Sequence, residues 1–202
     1  MGIGYKTGKG PGVVVLQEWW GLVPHIKDVC DRVAAQGFTA LAPDLYHGKA
    51  TTHPDDAGRM MMALNIDQAA KDLQAAIDEL GGAKVGVIGF CMGGQLALYS
   101  ASKSPTVAVC VDFYGIHPNV KPDYKAIKCP VVGHFGRKDA FVSEDSARKL
   151  ESELKAAGVK TDFHFYDAGH AFYNDSRPEA YETKSAKLAW DRTIAALKAN
   201  LG

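Results

Sequence analysis

Apolar and polar positions along this chain fall into blocks that switch between two periods. Short apolar runs bounded by Gly, Pro or charged residues read as strands: Val13 to Gln17, Phe38 to Ala42, Lys84 to Ile88, Thr106 to Tyr114, Val131 to Phe135 and Thr161 to Tyr166. Pro43 stops the second of these. Between them lie helical segments. Pro24 to Gln36 is predicted as a helix closed by Gly37, and Met60 to Leu80 as a longer one stopped by Gly81-Gly82. A third helix follows Gly93-Gly94 and runs to about Ser102. Ser143 is a good N-cap for a helix to Ala157, whose Ala147, Leu150, Leu154 and Ala157 share one face before Gly158 ends it. The last helix covers roughly Glu179 to Leu197, and the polar stretch from Asp44 to Gly58 reads as a long loop.

Alternation of this kind predicts a single α/β domain over residues 1–202, with a mostly parallel central sheet and helices on both faces. Chemistry is then expected on the loops at the carboxyl ends of the strands. The Met60-Met61-Met62 run reads as a helix face packed on that sheet. No repeat, low-complexity segment or linker interrupts the pattern.

Composition narrows the class. A chain of 202 residues is long enough to bury a full core. Lys plus Arg and Asp plus Glu both number 23, so no basic excess points to nucleic acid. The longest apolar runs are strand-length, which argues against a membrane span. Met1 to Lys6 has no apolar signal core, and Lys6 stands where a myristoylation pattern needs Ser or Thr. Asn174-Asp175-Ser176 matches a glycosylation sequon, which carries little weight without a secretion signal. The four cysteines show no paired spacing, and Cys30, Cys110 and Cys129 read as small core residues. A reducing, cytoplasmic setting is expected. No exposed apolar stripe stands out, so a monomer is expected.

The fourth cysteine sits differently. Gly89-Phe90-Cys91-Met92-Gly93-Gly94 joins the run Lys84 to Ile88 to the helical Gln95 to Tyr99. A Gly-x-nucleophile-x-Gly between a strand and a helix is the nucleophile elbow of α/β-hydrolases, with Cys where Ser is usual. The turn is tight enough to require small flanking residues, and the helix that follows turns its positive end toward any anion formed there. Two later loops complete the chemistry: Gly136-Arg137-Lys138-Asp139 after one strand and Asp167-Ala168-Gly169-His170 after the next. The order nucleophile, acid, base is that of the same fold. Cys91 is the expected nucleophile, His170 the base and later acid, and Asp139 the group that orients the imidazole. Asp167, Asp162 and Asp175 are rival acids. A free thiol, with pKa about 8.5, needs such a base at neutral pH. A dinucleotide site is the competing use of Gly86, Gly89 and Gly93, but their spacing is not Gly-x-Gly-x-x-Gly.

With these residues in view, nearly the whole chain resembles the dienelactone hydrolase (carboxymethylenebutenolidase-like) family. The resemblance rests on Gln17-Glu18-Trp19-Trp20-Gly21, Ala42-Pro43-Asp44-Leu45-Tyr46, the elbow, Phe113-Tyr114-Gly115, Gly136 to Asp139, and Ala168-Gly169-His170-Ala171-Phe172. It implies an α/β-hydrolase fold and a triad at Cys91, Asp139 and His170. It also gives Glu18 a role: a carboxylate that contacts the thiol and helps deprotonate it when substrate binds. The oxyanion hole it implies uses the backbone N–H groups of Met92 and Trp19. No metal or cofactor is implied.

The chain departs from the family in two places. Family members hold a substrate carboxylate with arginines. Arg59 is the nearest match to one, while the other position, four residues after His170, holds Asn174, with Arg177 close by. Family members also begin with two hairpin strands, and only Ile3 to Lys6 is left to supply one, so a reduced N-terminal edge is expected. Trp19, Trp20, Tyr46, Tyr114, Phe141, Phe172 and Tyr173 are expected to line an acyl pocket, although Phe141 and Phe172 are as readily read as core. The expected activity is hydrolysis of a small ester or lactone through an acyl-thioester. The alternatives are a thioesterase or acyltransferase with the same triad, or a non-catalytic thiol redox or binding protein.

Overall fold

The computed structural model describes residues 4–202. Met1 to Ile3, including the start of the predicted edge strand and part of the segment read for targeting signals, lie outside the described residues. The strands are β1 (Gly4–Gly8), β2 (Gly12–Leu16), β3 (Thr39–Pro43), β4 (Val85–Phe90), β5 (Val107–Phe113), β6 (Val131–Gly136) and β7 (Thr161–Tyr166). They form one seven-stranded sheet in the order β1-β3-β2-β4-β5-β6-β7. Every pairing is parallel except β1 against β3, where Gly4 faces Pro43 and Gly8 faces Thr39. The one antiparallel strand, β1, forms an edge of the sheet.

Helices α1 (Pro24–Ala34), α2 (Pro54–Met62), α3 (Ile66–Leu80), α4 (Met92–Lys103), α5 (Glu144–Ala156) and α6 (Thr183–Leu201) connect and cover the strands. Strand side chains alternate between the two faces, so successive residues of β2 enter different cores. Val13 and Val15 pack with Ile26, Val29 and Val33 of α1 and Ile194 and Leu197 of α6. Val14 and Leu16 pack with Leu73 and Ile77 of α3 and Leu96 and Ala97 of α4. Residues at the sheet centre are buried on both sides, which is why β2 and β4 read as unbroken apolar runs rather than alternating ones.

Two predicted elements change. The single helix expected over Met60 to Leu80 is two helices, and the first begins inside the predicted Asp44–Gly58 loop. Pro54 starts α2 at its first turn, a position where its missing N–H costs nothing. Asn65 then breaks the run: its side chain accepts from the Gln68 amide at 3.0 Å and caps α3. The last helix also starts later than Glu179, at Thr183, where the Glu182 carboxylate accepts from the Lys184 and Ser185 amides. Among the described residues no helix is long and apolar enough to cross a membrane. Cys30, Cys91, Cys110 and Cys129 are all free and buried.

Candidate active site

Strand β4 ends at Phe90 and α4 begins at Met92, leaving Cys91 alone to turn the chain, at φ 53° and ψ −119°. That is a strained conformation for a residue with a side chain, worth about 1–3 kcal/mol. Three backbone hydrogen bonds hold it: Cys91 N donates to Phe113 O (2.9 Å), and Cys91 O accepts from Gly94 N (2.9 Å) and Ile116 N (3.1 Å). The flanking glycines are required by close approach. A Cβ on Gly89 would lie 1.9 Å from Gly93 O, and one on Gly93 would lie 2.5 Å from Leu16 O. Tyr114 and Ala171 also hold positive φ beside the site, at 42° and 58°.

The loops after β6 and β7 bring an acid and a base to this turn. His170 Nδ1 is hydrogen-bonded to Asp139 Oδ2 at 2.7 Å. The other oxygen of Asp139 accepts from the backbone amides of Phe141 (2.7 Å) and Val142 (2.9 Å). A carboxylate with both oxygens engaged is fixed in place, so it fixes the tautomer and the ring as well. With Nδ1 committed to Asp139, the other ring nitrogen of His170 is left for the Cys91 thiol, which lines the same cavity. Burial alone pushes the imidazole pKa down. The hydrogen bond to Asp139 and the nearby Cys91 thiol, with the negative charge both can carry, outweigh it and raise the group to about 10. The rival acids lie elsewhere: Asp167 pairs with Lys138, Asp162 with His164, and Asp175 with Arg32.

Glu18 lies just beyond β2, across from this pair. It is 2 % exposed. Its Oε2 accepts from Asn174 Nδ2 at 2.7 Å, and its Oε1 is buried without a hydrogen-bond partner. Asn174 is itself oriented, since its Oδ1 accepts from the amide and the hydroxyl of Ser176. This residue stands where the sequence comparison with the family looked for an arginine. It is buried and serves Glu18, so the glycosylation sequon it heads is not presented to solvent. Only the polarity of Asn174 four residues after His170 hinted at this role.

A cavity of about 330 Å³ opens over Cys91, lined by Glu18, Trp19, Trp20, Met61, Ile116, Phe141, His170 and Arg177 among others. Phe141 is 64 % exposed and its ring centroid lies 5.0 Å from that of His170, so it is a rim residue and not core. The Arg177 guanidinium stacks 5.0 Å over the Trp20 ring and its Nε donates to Glu179 Oε1. Five expected lining residues are placed differently. Arg59 is 72 % exposed at its side chain, pairs with Asp56 one turn earlier, and does not line the cavity. Tyr46 lies beneath the elbow, its hydroxyl 3.2 Å from Met92 Sδ. Tyr114 is fully buried behind His170, and Phe172 packs in the core against Phe113, Tyr114 and Tyr166. Tyr173 is buried as well, its ring stacked with Phe90 and with Trp190, so all four aromatics pack behind the site instead of lining it. Met61, read from the sequence as part of a helix face packed on the sheet, and Ile116, which the sequence did not single out, take their places on the wall. No cluster of His, Cys, Asp or Glu suited to a metal ion occurs among the described residues.

Comparison with known proteins bears on the family and the fold. The sequence profile of the dienelactone hydrolase family matches residues 3–201. Protein usf of Aquifex pyrophilus is 38 % identical over 203 residues, covering 94 % of this chain and 88 % of its own. A carboxymethylenebutenolidase of a Pseudomonas species is 33 % identical over 208 residues, covering 95 % and 85 % respectively. Among solved structures, a dienelactone hydrolase-like promiscuous phosphotriesterase from metagenomic libraries superposes with a TM-score of 0.85 at 26 % identity, over 97 % of this chain and 89 % of that one.

Proposed function

The chain belongs to the dienelactone hydrolase family and is a carboxylic ester hydrolase, and on that premise we propose that it cleaves small esters or lactones through Cys91, His170 and Asp139 by way of an acyl-thioester. The observation that carries this is the single imidazole that is hydrogen-bonded to a buried carboxylate and lines one cavity with the elbow thiol. With its pKa raised to about 10, His170 favours the imidazolium at neutral pH, so a proton passes from Cys91 Sγ to Nε2. The thiolate attacks the substrate carbonyl carbon. The resulting oxyanion takes hydrogen bonds from the backbone N–H groups of Met92, the first residue of α4, and Trp19. Donors of this kind are worth about 3 kcal/mol each in the transition state. Nε2 then gives its proton to the leaving oxygen, the C–O bond breaks, and Cys91 holds the acyl group. Water, deprotonated by the now neutral His170, attacks the thioester carbonyl. The acid leaves and the proton returns to Sγ.

Glu18 is the second acid–base group in this scheme. Its unpaired Oε1 and its place on the cavity wall favour a carboxylate that turns from Asn174 to the thiol when substrate enters and relays the Sγ proton to Nε2. Arg177, which lines the cavity where Arg59 does not, is the cation available to a substrate carboxylate. The enzyme acts on this scheme as a cytoplasmic monomer on a small-molecule substrate, without a cofactor. Turnover of p-nitrophenyl acetate and butyrate, a neutral lactone and an anionic dienelactone by wild type and Cys91→Ala tests it. Cys91-dependent hydrolysis of at least one is expected. Equal rates for the two proteins on every substrate would contradict the scheme.

A further inference from the structure

Directly under the elbow lies a carboxyl group that the reaction scheme does not use. Asp112, near the end of β5, is 0 % exposed, and neither of its oxygens has a hydrogen-bond partner. Its neighbours in the sheet are glycines, Gly89 on β4 and Gly133 on β6. Its carboxyl reaches into a notch cut by two more. A Cβ on Gly94 would lie 2.2 Å from Asp112 Oδ1, and one on Gly115 would lie 2.3 Å from it. Gly94 is in the first turn of α4 and Gly115 is in the loop after β5. The amides of Gly94 and, one residue past Gly115, of Ile116 are the two that hold the Cys91 carbonyl. Asp112 thus wedges apart the two segments that clamp the nucleophile's backbone.

We propose that Asp112 is a positioning residue for Cys91: as a neutral acid it sets the spacing of the α4 first turn and the Gly115 loop, and when it gives its proton to solvent the rate falls. This rests on Cys91 being the nucleophile. Two effects make the ionised form harmful. A buried charge without a partner draws in water or moves to find a donor, which disturbs both arms of the clamp. A negative charge by the first turn of α4 also competes for the positive helix end with the thiolate and the reaction oxyanion. The ionisable groups that face Asp112 are the thiol of Cys110 and the phenol of Tyr124, both neutral at pH 7, and no cation acts on it among the described residues. Burial raises its pKa to about 7, opposed by the Gly115 amide, which lies close without completing a hydrogen bond, so the change falls at neutral pH.

The test is kcat on p-nitrophenyl acetate across about pH 5.5 to 9 for wild type, Asp112→Asn and Cys91→Ala. Asn keeps the shape and cannot ionise. Wild type is expected to lose about tenfold between roughly pH 6 and pH 8, as the protonated fraction falls to about a tenth. Asp112→Asn is expected to stay flat over that range and within about twofold of wild type at its lower end. The same fall in both proteins, or no fall in wild type, would overturn the proposal. Retained turnover in Cys91→Ala would instead overturn the underlying reaction scheme. Infrared spectra of wild type alone give a second test that needs no variant to fold. A protonated-carboxyl carbonyl band is expected at about pH 6 and should be gone by about pH 8.5, and its absence at the lower pH contradicts the proposal.

Discussion

Two loops face each other across Cys91, and each offers it a buried carboxylate on different terms. The loop after β6 holds Asp139 with one oxygen on His170 and the other on two backbone amides. The loop after β2 holds Glu18 with one oxygen on Asn174 and the other on nothing. A fully bonded carboxylate is part of the scaffold. A half-bonded one in a cavity wall retains an acceptor site for whatever enters. On the proposed scheme the two acids at this site do different jobs: Asp139 stays in place, and Glu18 changes partners.

The comparison breaks first at the nucleophile both loops serve. Cys91→Ala is expected to reduce ester turnover about ten-thousand-fold, measured as steady-state release of p-nitrophenol. Asp139→Asn comes next, at about a thousandfold or more in kcat, because an amide can donate to Nδ1 and so stabilise the wrong tautomer. Its fold should survive, since the amides of Phe141 and Val142 keep an acceptor, and circular dichroism checks this. Glu18→Gln sharpens the contrast. It should lower kcat by only about ten- to a hundredfold, in the range of an auxiliary acid–base group, and leave Tm nearly unchanged. An effect as large as that of Asp139→Asn would mean that Glu18 is scaffold too.

The smallest expected effect is on stability. His170 has a folded pKa near 10 against an ordinary value of 6.5. A raised value of this kind contributes stability that is fully present below pH 6.5 and is lost as pH rises toward 10. Urea unfolding at about pH 6.5 and pH 9.5 should therefore show wild type losing more stability than Asp139→Asn, in which the hydrogen bond that raises the pKa is weakened.

Much of this was legible in the sequence, and the gaps have physical causes. The parallel core strands were plain because each is buried on both faces and so reads as an apolar run. The elbow was plain because its geometry admits only small neighbours at Gly89 and Gly93. Asp139 and His170 followed from strand ends. The split at Asn65 was hidden because α2 and α3 continue one apolar period across a three-residue break, and only the cap marks it. Tyr46, Tyr114 and Phe172 lie close to the site in sequence, but the side of a loop on which a side chain falls depends on the backbone turn. Tyr114, at positive φ, points behind His170 rather than into the cavity. Arg59 failed as a cavity residue because it sits on the outer face of α2, whose extent was misjudged. The Glu18–Asn174 contact joins residues 156 positions apart, and no local pattern encodes that distance.

The central claim is that Cys91 carries the acyl group, and a mass spectrum of protein acid-quenched during turnover of p-nitrophenyl acetate tests it most directly. One acetyl group on the peptide containing Cys91 in wild type, absent from Cys91→Ala, is the result expected. An unmodified Cys91 during rapid turnover, or an acetyl group on another residue that persists in Cys91→Ala, would contradict it.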